Sequence, residues 1–161
     1  FVVGQKYSYE DVFRLLNWKK NEVALNVGGY RFDAETKTYP VFVNYDKSLE
    51  INDTIRYEDR FLDSSTLLAI SKSKKTLESA DVRTAAGSER LGVKRYWFVR
   101  KNKDDQESKE GYYLGRIRHE AGGILKQFVM PNTEVSAVEI EYKLETPVEK
   151  NLYDYLTSEN I

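Results

Sequence analysis

From Val138 to Leu144 the chain alternates without a break: Val138, Ile140, Tyr142 and Leu144 are separated by Glu139, Glu141 and Lys143. Successive strand side chains point to opposite faces, so this run predicts a strand with one buried face and one wet face. Such half-wet strands belong to mostly antiparallel sheets. Other segments agree. Val41, Phe42, Val43 and Tyr45 form a short run of β-branched and aromatic residues after Pro40, and Leu67 to Ile70 form another. Ile55 and Tyr57 alternate with Arg56 and Glu58. Val93 to Arg100 and Tyr112 to Arg118 predict a hairpin, with Arg95, Trp97 and Val99 on one face and Tyr96 and Phe98 on the other. Its connecting segment, residues 101–111, carries 7 charged residues and reads as solvated.

Helix signals sit near the two ends. Ser8 is placed as an N-cap, with Glu10 and Asp11 in the first turn and Val12, Phe13, Leu15 and Leu16 as an apolar stripe. After Pro147, the residues Val148, Leu152, Tyr155 and Leu156 recur at helical spacing. Residues 76–86 fit either an irregular connection or one short helix. Gly28-Gly29 marks a turn or bulge that delivers Tyr30 and Phe32, and it lacks the spacing of a phosphate-binding loop. The expected fold is α+β: a curled, barrel-like, mostly antiparallel sheet with flanking helices. It forms one domain over residues 1–161, with no repeat and no linker.

Composition removes most catalytic chemistry. There is no cysteine and a single histidine, His119, whose surroundings do not resemble a nucleophile elbow. The 26 acidic residues show no calcium-loop spacing and no paired acids at strand ends. The expectation is a binding module with no cofactor and no metal. No apolar run approaches the roughly 20 residues of a spanning helix. The opening FVVGQKY is neither an initiator nor a signal segment, which suggests a piece of a longer chain.

Net charge is only -1, yet residues 71–103 hold 10 basic and 3 acidic side chains, while residues 131–161 hold 2 basic and 7 acidic. A basic stripe on a near-neutral domain fits a face that meets phosphates. It equally fits a solvated surface.

The segments GQKYSYEDVFRLLNW, NVGGY, PVFVNYDK, IRYEDRF, SKSKKTLES and YYLGRI together resemble one known family. It is the C-terminal domain of SauUSI-type modification-dependent (type IV) restriction enzymes, in which a phospholipase-D-type nuclease and a superfamily-2 helicase precede it. The resemblance implies an SRA/PUA-like fold and binding of double-stranded DNA that carries 5-methylcytosine or 5-hydroxymethylcytosine. It also implies helicase and nuclease partners in the same chain, ATP and Mg²⁺ for that parent enzyme only, and a bacterial cytoplasm.

Such a reader flips the modified base into a pocket at a cost of a few kcal/mol. Aromatic faces then offset the lost stacking, roughly 1–3 kcal/mol per base. Among 12 Tyr, 7 Phe and 2 Trp, the candidates are Tyr30, Tyr45 and Tyr57, with core packing as the alternative for each. A carboxylate suits the cytosine amino group, which assigns Asp59 first and Glu58 second. Trp97 is a candidate wedge for the gap left in the duplex, or else a core residue. Lys72, Lys74, Lys75, Arg95 and Arg100 are expected on phosphates, with hydroxyls from Ser71 and Ser73. One methyl group limits discrimination to about 10- to 200-fold. Two other readings remain: a methylation-independent nucleic-acid platform for a helicase, and a protein docking domain. A metal-dependent nuclease has almost no support in the sequence.

Overall fold

A computed structural model of the chain describes residues 1–18, 32–44, 60–71, 73–101 and 110–157. The elements in order are β1 (Lys6–Ser8), α1 (Tyr9–Leu15), β2 (Thr38–Asn44), β3 (Arg60–Asp63), β4 (Thr66–Ile70), α2 (Ala80–Ala86) and α3 (Ser88–Leu91). They continue with β5 (Lys94–Arg100), β6 (Glu110–Arg118), β7 (Leu125–Val129), β8 (Ser136–Leu144) and α4 (Lys150–Thr157). The strands form one curled sheet in the order β2-β5-β6-β8-β4-β3, with β1 added to β6 and β7 to β8. Among the described residues all strand pairings are antiparallel except β2 with β5. The curled α+β sheet is the expected one.

The hairpin of β5 and β6 explains the curl. β6 pairs with β5 from Tyr112 to Arg116 and with β8 at Ile117 and Arg118, so one strand serves both halves of the sheet. It bends at Gly115, whose φ of 123° is a conformation that side chains rarely adopt. Opposite Gly115 lies Trp97, where the register with β5 slips. A bulge of this kind increases local twist.

Alternation along β5 feeds two cores. Trp97 and Val99 join Tyr39, Val41, Leu67, Leu114, Val138, Ile140 and Tyr142 inside the curl. Phe98 faces the other way, onto Phe42, Tyr113 and the apolar stripe of α1. That helix starts as expected, because the Ser8 hydroxyl accepts the Asp11 N–H at 3.1 Å. Asn17, at φ 61°, ends it. Trp18 then stacks on Phe13 at 4.5 Å and donates its indole N–H to Thr38 Oγ1 at 2.7 Å, pinning the helix exit to β2. At the far end α4 buries Leu156 in the inner core.

Candidate nucleic-acid interface

The segment between β4 and β5 carries α2 and α3. Ser71 ties the end of β4 to β8: its N–H donates to the Val138 carbonyl and its Oγ accepts the Val138 N–H, both at 2.9 Å. α2 then begins with Asp81 in its first turn, where a carboxylate is favoured by the helix dipole. Asp81 pairs with Lys75 at 3.2 Å. Gly87 joins α2 to α3; a Cβ there would lie 3.1 Å from both the Arg83 carbonyl and the Arg90 guanidinium. A side chain there would make the Arg83 carbonyl or the Arg90 guanidinium give by a few tenths of an ångström.

On one side of α2 is a cleft of about 20 Å³, lined by Tyr39, Ser71, Asp81, Val82, Ala85 and Tyr142 among others. β2 supplies one tyrosine, β8 the other, and α2 the carboxylate. Burial pushes the Tyr39 phenol up to about 12, against the pull of the nearby Arg95 charge. The Arg95 guanidinium is held between the two rings, 4.3 Å from the centre of Tyr39 and 4.7 Å from that of Tyr142. Two tyrosines and a carboxylate thus line one small space, and Arg95 is not among its lining residues. On the other side of α2 runs an open groove of about 580 Å³, lined by Leu77, Arg83, Glu89, Arg90 and His119 among others. Arg83 and Arg90 are exposed. His119 is held by an Nδ1 contact of 2.8 Å to the Glu141 carbonyl. Val82 lines both spaces, so α2 is the wall between them.

The sequence-based candidates divide into three groups. Tyr30, Tyr45, Tyr57, Glu58, Asp59 and Lys72 lie outside the described residues. Ser73 and Lys74 are exposed on the turn after β4, and Lys75 is half-buried in its ion pair. Ser71 is half-buried against β8. Arg100 is half-buried with its guanidinium 5.4 Å from the centre of the Tyr9 ring.

Arg95 and Trp97 require correction. Both are 0% exposed. Arg95 does not reach a phosphate on the surface because its strand face points inward, and Trp97 packs in the core at 6.0 Å from Tyr142 rather than wedging into a duplex. The residues that the sequence did not single out are Tyr39, Tyr142, Asp81, Arg83 and Arg90. Only the local excess of positive charge pointed to the last two.

Among the described residues no group of three or more His, Asp or Glu side chains is placed to hold a metal ion. No helix among them is long and apolar enough to cross a membrane.

Comparison with known proteins adds the fold. A family model described as a domain of unknown function, DUF3427, matches residues 1–156. No curated protein matches the chain. Among solved structures, KRYPTONITE in complex with mCHG DNA and SAH is similar at 12% identity and TM-score 0.58, over 91% of this chain and 33% of that one. The SRA domain of SUVH5 in complex with methylated CHH DNA is similar at 12% identity and TM-score 0.54, over 91% of both chains. SUVH6 of Arabidopsis thaliana in complex with SAM is similar at 14% identity and TM-score 0.53, over 97% of this chain and 28% of that one. The chain therefore spans about a third of KRYPTONITE but nearly the whole of the SUVH5 SRA domain. At these identities the likeness establishes an SRA fold.

Proposed function

The chain belongs to the DUF3427 family, and on that footing we propose that its SRA-fold domain binds double-stranded DNA carrying a modified cytosine. The observation that carries this reading is the cleft in which Tyr39, Tyr142 and Asp81 converge, one helix away from the exposed Arg83 and Arg90. A fold alone does not fix a function; the residues of a site do. Aromatic faces with a carboxylate are what a cytosine removed from its stack needs, and nearby cations position the backbone without reading sequence. Solved structures of the same fold support it, since SUVH5 SRA is seen with methylated CHH DNA and with fully methylated CG DNA.

In the finer form of the proposal, the base is 5-methylcytosine or 5-hydroxymethylcytosine, and it is flipped into the domain. Tyr45 and Asp59, which directly follow β2 and precede β3 in the sequence, join the reading with Tyr30, Tyr57 and Glu58. Lys72, Ser73 and Lys74 hold the backbone beside Arg83 and Arg90. The domain is non-catalytic and directs an ATP-dependent, Mg²⁺-requiring restriction endonuclease of the bacterial cytoplasm, whose helicase and nuclease share its chain.

The exposed arginines also suit a second reading, a platform that holds nucleic acid whatever its methylation. A duplex with 2-aminopurine next to a single 5-methylcytosine separates the two. The proposal expects a rise in fluorescence on binding, as the neighbour loses its stacking partner, and weak competition by single strands. No rise, with single strands competing as well as duplex, would favour the platform.

A further inference from the structure

Two arginines of the open groove beside α2 stand without an ion pair. Among the described residues neither Arg83 nor Arg90 meets a carboxylate, whereas Lys75, Arg118 and Lys150 all do. His119, in the turn after β6, lines the same groove. Its ring has a fixed tautomer. A carbonyl only accepts, so the 2.8 Å contact to Glu141 places the proton of the neutral imidazole on Nδ1. Nε2 is then a lone pair, with no hydrogen bond among the described residues.

We infer that this groove holds the sugar–phosphate backbone of one DNA strand, with His119, as the imidazolium, on a phosphate beside Arg83 and Arg90. This rests on the function proposed above, and it names the surface that receives the strand. Charge favours that occupant. The charged or titratable residues of the lining are Arg83, Glu89, Arg90 and His119, so the groove stands at +1 with a neutral ring and +2 with a protonated one. Glu120, next to His119 in the chain, is paired with Arg118 at 2.9 Å.

The rest of the lining fits a deoxyribose rather than a base. Leu77 and Leu125 are 39% and 40% exposed and form an apolar wall with Ala86 and Ala121. Among the described lining residues there is no Phe, Tyr or Trp, and a base held outside its stack needs such a ring. Val82 lines both the groove and the Tyr39–Tyr142 cleft, so a strand lying here passes one helix away from the proposed base site. The groove, at about 580 Å³, is open as it stands and requires no movement of α2.

A phosphate binds the charged ring better than the neutral one, so the gain in affinity is complete at low pH and is lost as pH rises through the midpoint of the bound ring. The test measures fluorescence anisotropy for wild type and His119→Gln on methylated and unmethylated duplexes between about pH 5.5 and pH 8 at fixed salt. Wild type is expected to bind each duplex about fivefold more tightly at the acid end. The slope of log affinity against log salt should be steeper there by about 0.9. His119→Gln should hold its affinity within about twofold across the range. Glu89 of α3, Arg118 of β6, Glu120 of the turn and Glu141 of β8 surround the ring. Whatever charge those acids lose near pH 5.5 is lost in both proteins, so the difference between them belongs to His119.

His119 is the only histidine in the chain, so its Cε1 proton gives one titrating resonance and a second readout if the variant does not fold. The midpoint of that resonance should rise by about 0.7 pH when duplex is added, the counterpart of the fivefold gain. An unmoved midpoint, or the same pH dependence in wild type and His119→Gln, overturns the inference. Failure of the proposed function reads differently. Methylated and unmethylated duplexes would then bind alike with the proton-linked gain intact. Absence of binding to any duplex would overturn both.

Discussion

Trp97→Ala separates a core tryptophan from a DNA wedge. The indole has no exposed surface and packs among the strands that line the inner core, with Tyr142 at 6.0 Å. Truncating a buried Trp to Ala ordinarily costs about 3–5 kcal/mol through lost transfer energy and the cavity left behind. Among the described residues the indole N–H is buried without a partner. Removing it relieves a penalty, so the lower end, about 3 kcal/mol, is expected. A domain of this size loses about 2–4 °C of Tm per kcal/mol, which gives a drop of roughly 6–12 °C. Urea unfolding followed by far-UV circular dichroism is the appropriate assay, since Trp97 is one of only 2 tryptophans and its removal alters fluorescence. Below its transition the variant should keep the methyl preference of wild type. A loss of stability under about 1 kcal/mol together with collapse of DNA affinity would refute the burial argument and return Trp97 to the interface.

Two further outcomes follow from the cationic face and the buried phenols. Arg83→Ala and Arg90→Ala should each reduce the slope of log affinity against log salt by about 0.9, with the methyl preference held within twofold; unchanged slopes would remove the α2–α3 face from the interface. Burial pushes both Tyr39 and Tyr113 up to about 12. Below pH 10 both phenols are protonated folded and unfolded, so their contribution is fully present. From about pH 10 the unfolded chain ionises first, and stability falls as pH rises toward 12, by up to about 2–3 kcal/mol per ring. The urea midpoint should therefore drop between pH 9 and pH 11.5, less so in Tyr39→Phe, and a flat profile would contradict the burial of these rings.

Strands with strong alternation were legible in the sequence because burial on one face leaves a period-2 mark. β8 and β5 are of this kind, and so is the division of Trp97 and Phe98 between two cores. The same alternation puts Arg95 beside Trp97 and Val99, and taken at face value it already buries the arginine. Residue type outweighed position there, since arginine is rarely fully buried. β1 and β7 left little trace: one has three residues, and the other is mostly exposed along LKQFV. The parallel pairing of β2 with β5 depends on a crossover that no local signal encodes. The cleft was illegible for the same reason. Tyr39 and Tyr142 come from strands at opposite ends of the chain and Asp81 from a helix between them, so only the folded sheet brings them together.

The most direct measurement is the affinity of the domain for one short duplex, unmodified or symmetrically 5-methylated, by fluorescence anisotropy at two salt concentrations. A reader that encloses the base is expected to prefer the methylated duplex by about 10-fold or more, with the ratio kept at the higher salt while both affinities fall. Equal affinities at both salt concentrations would contradict the reading of a modified base.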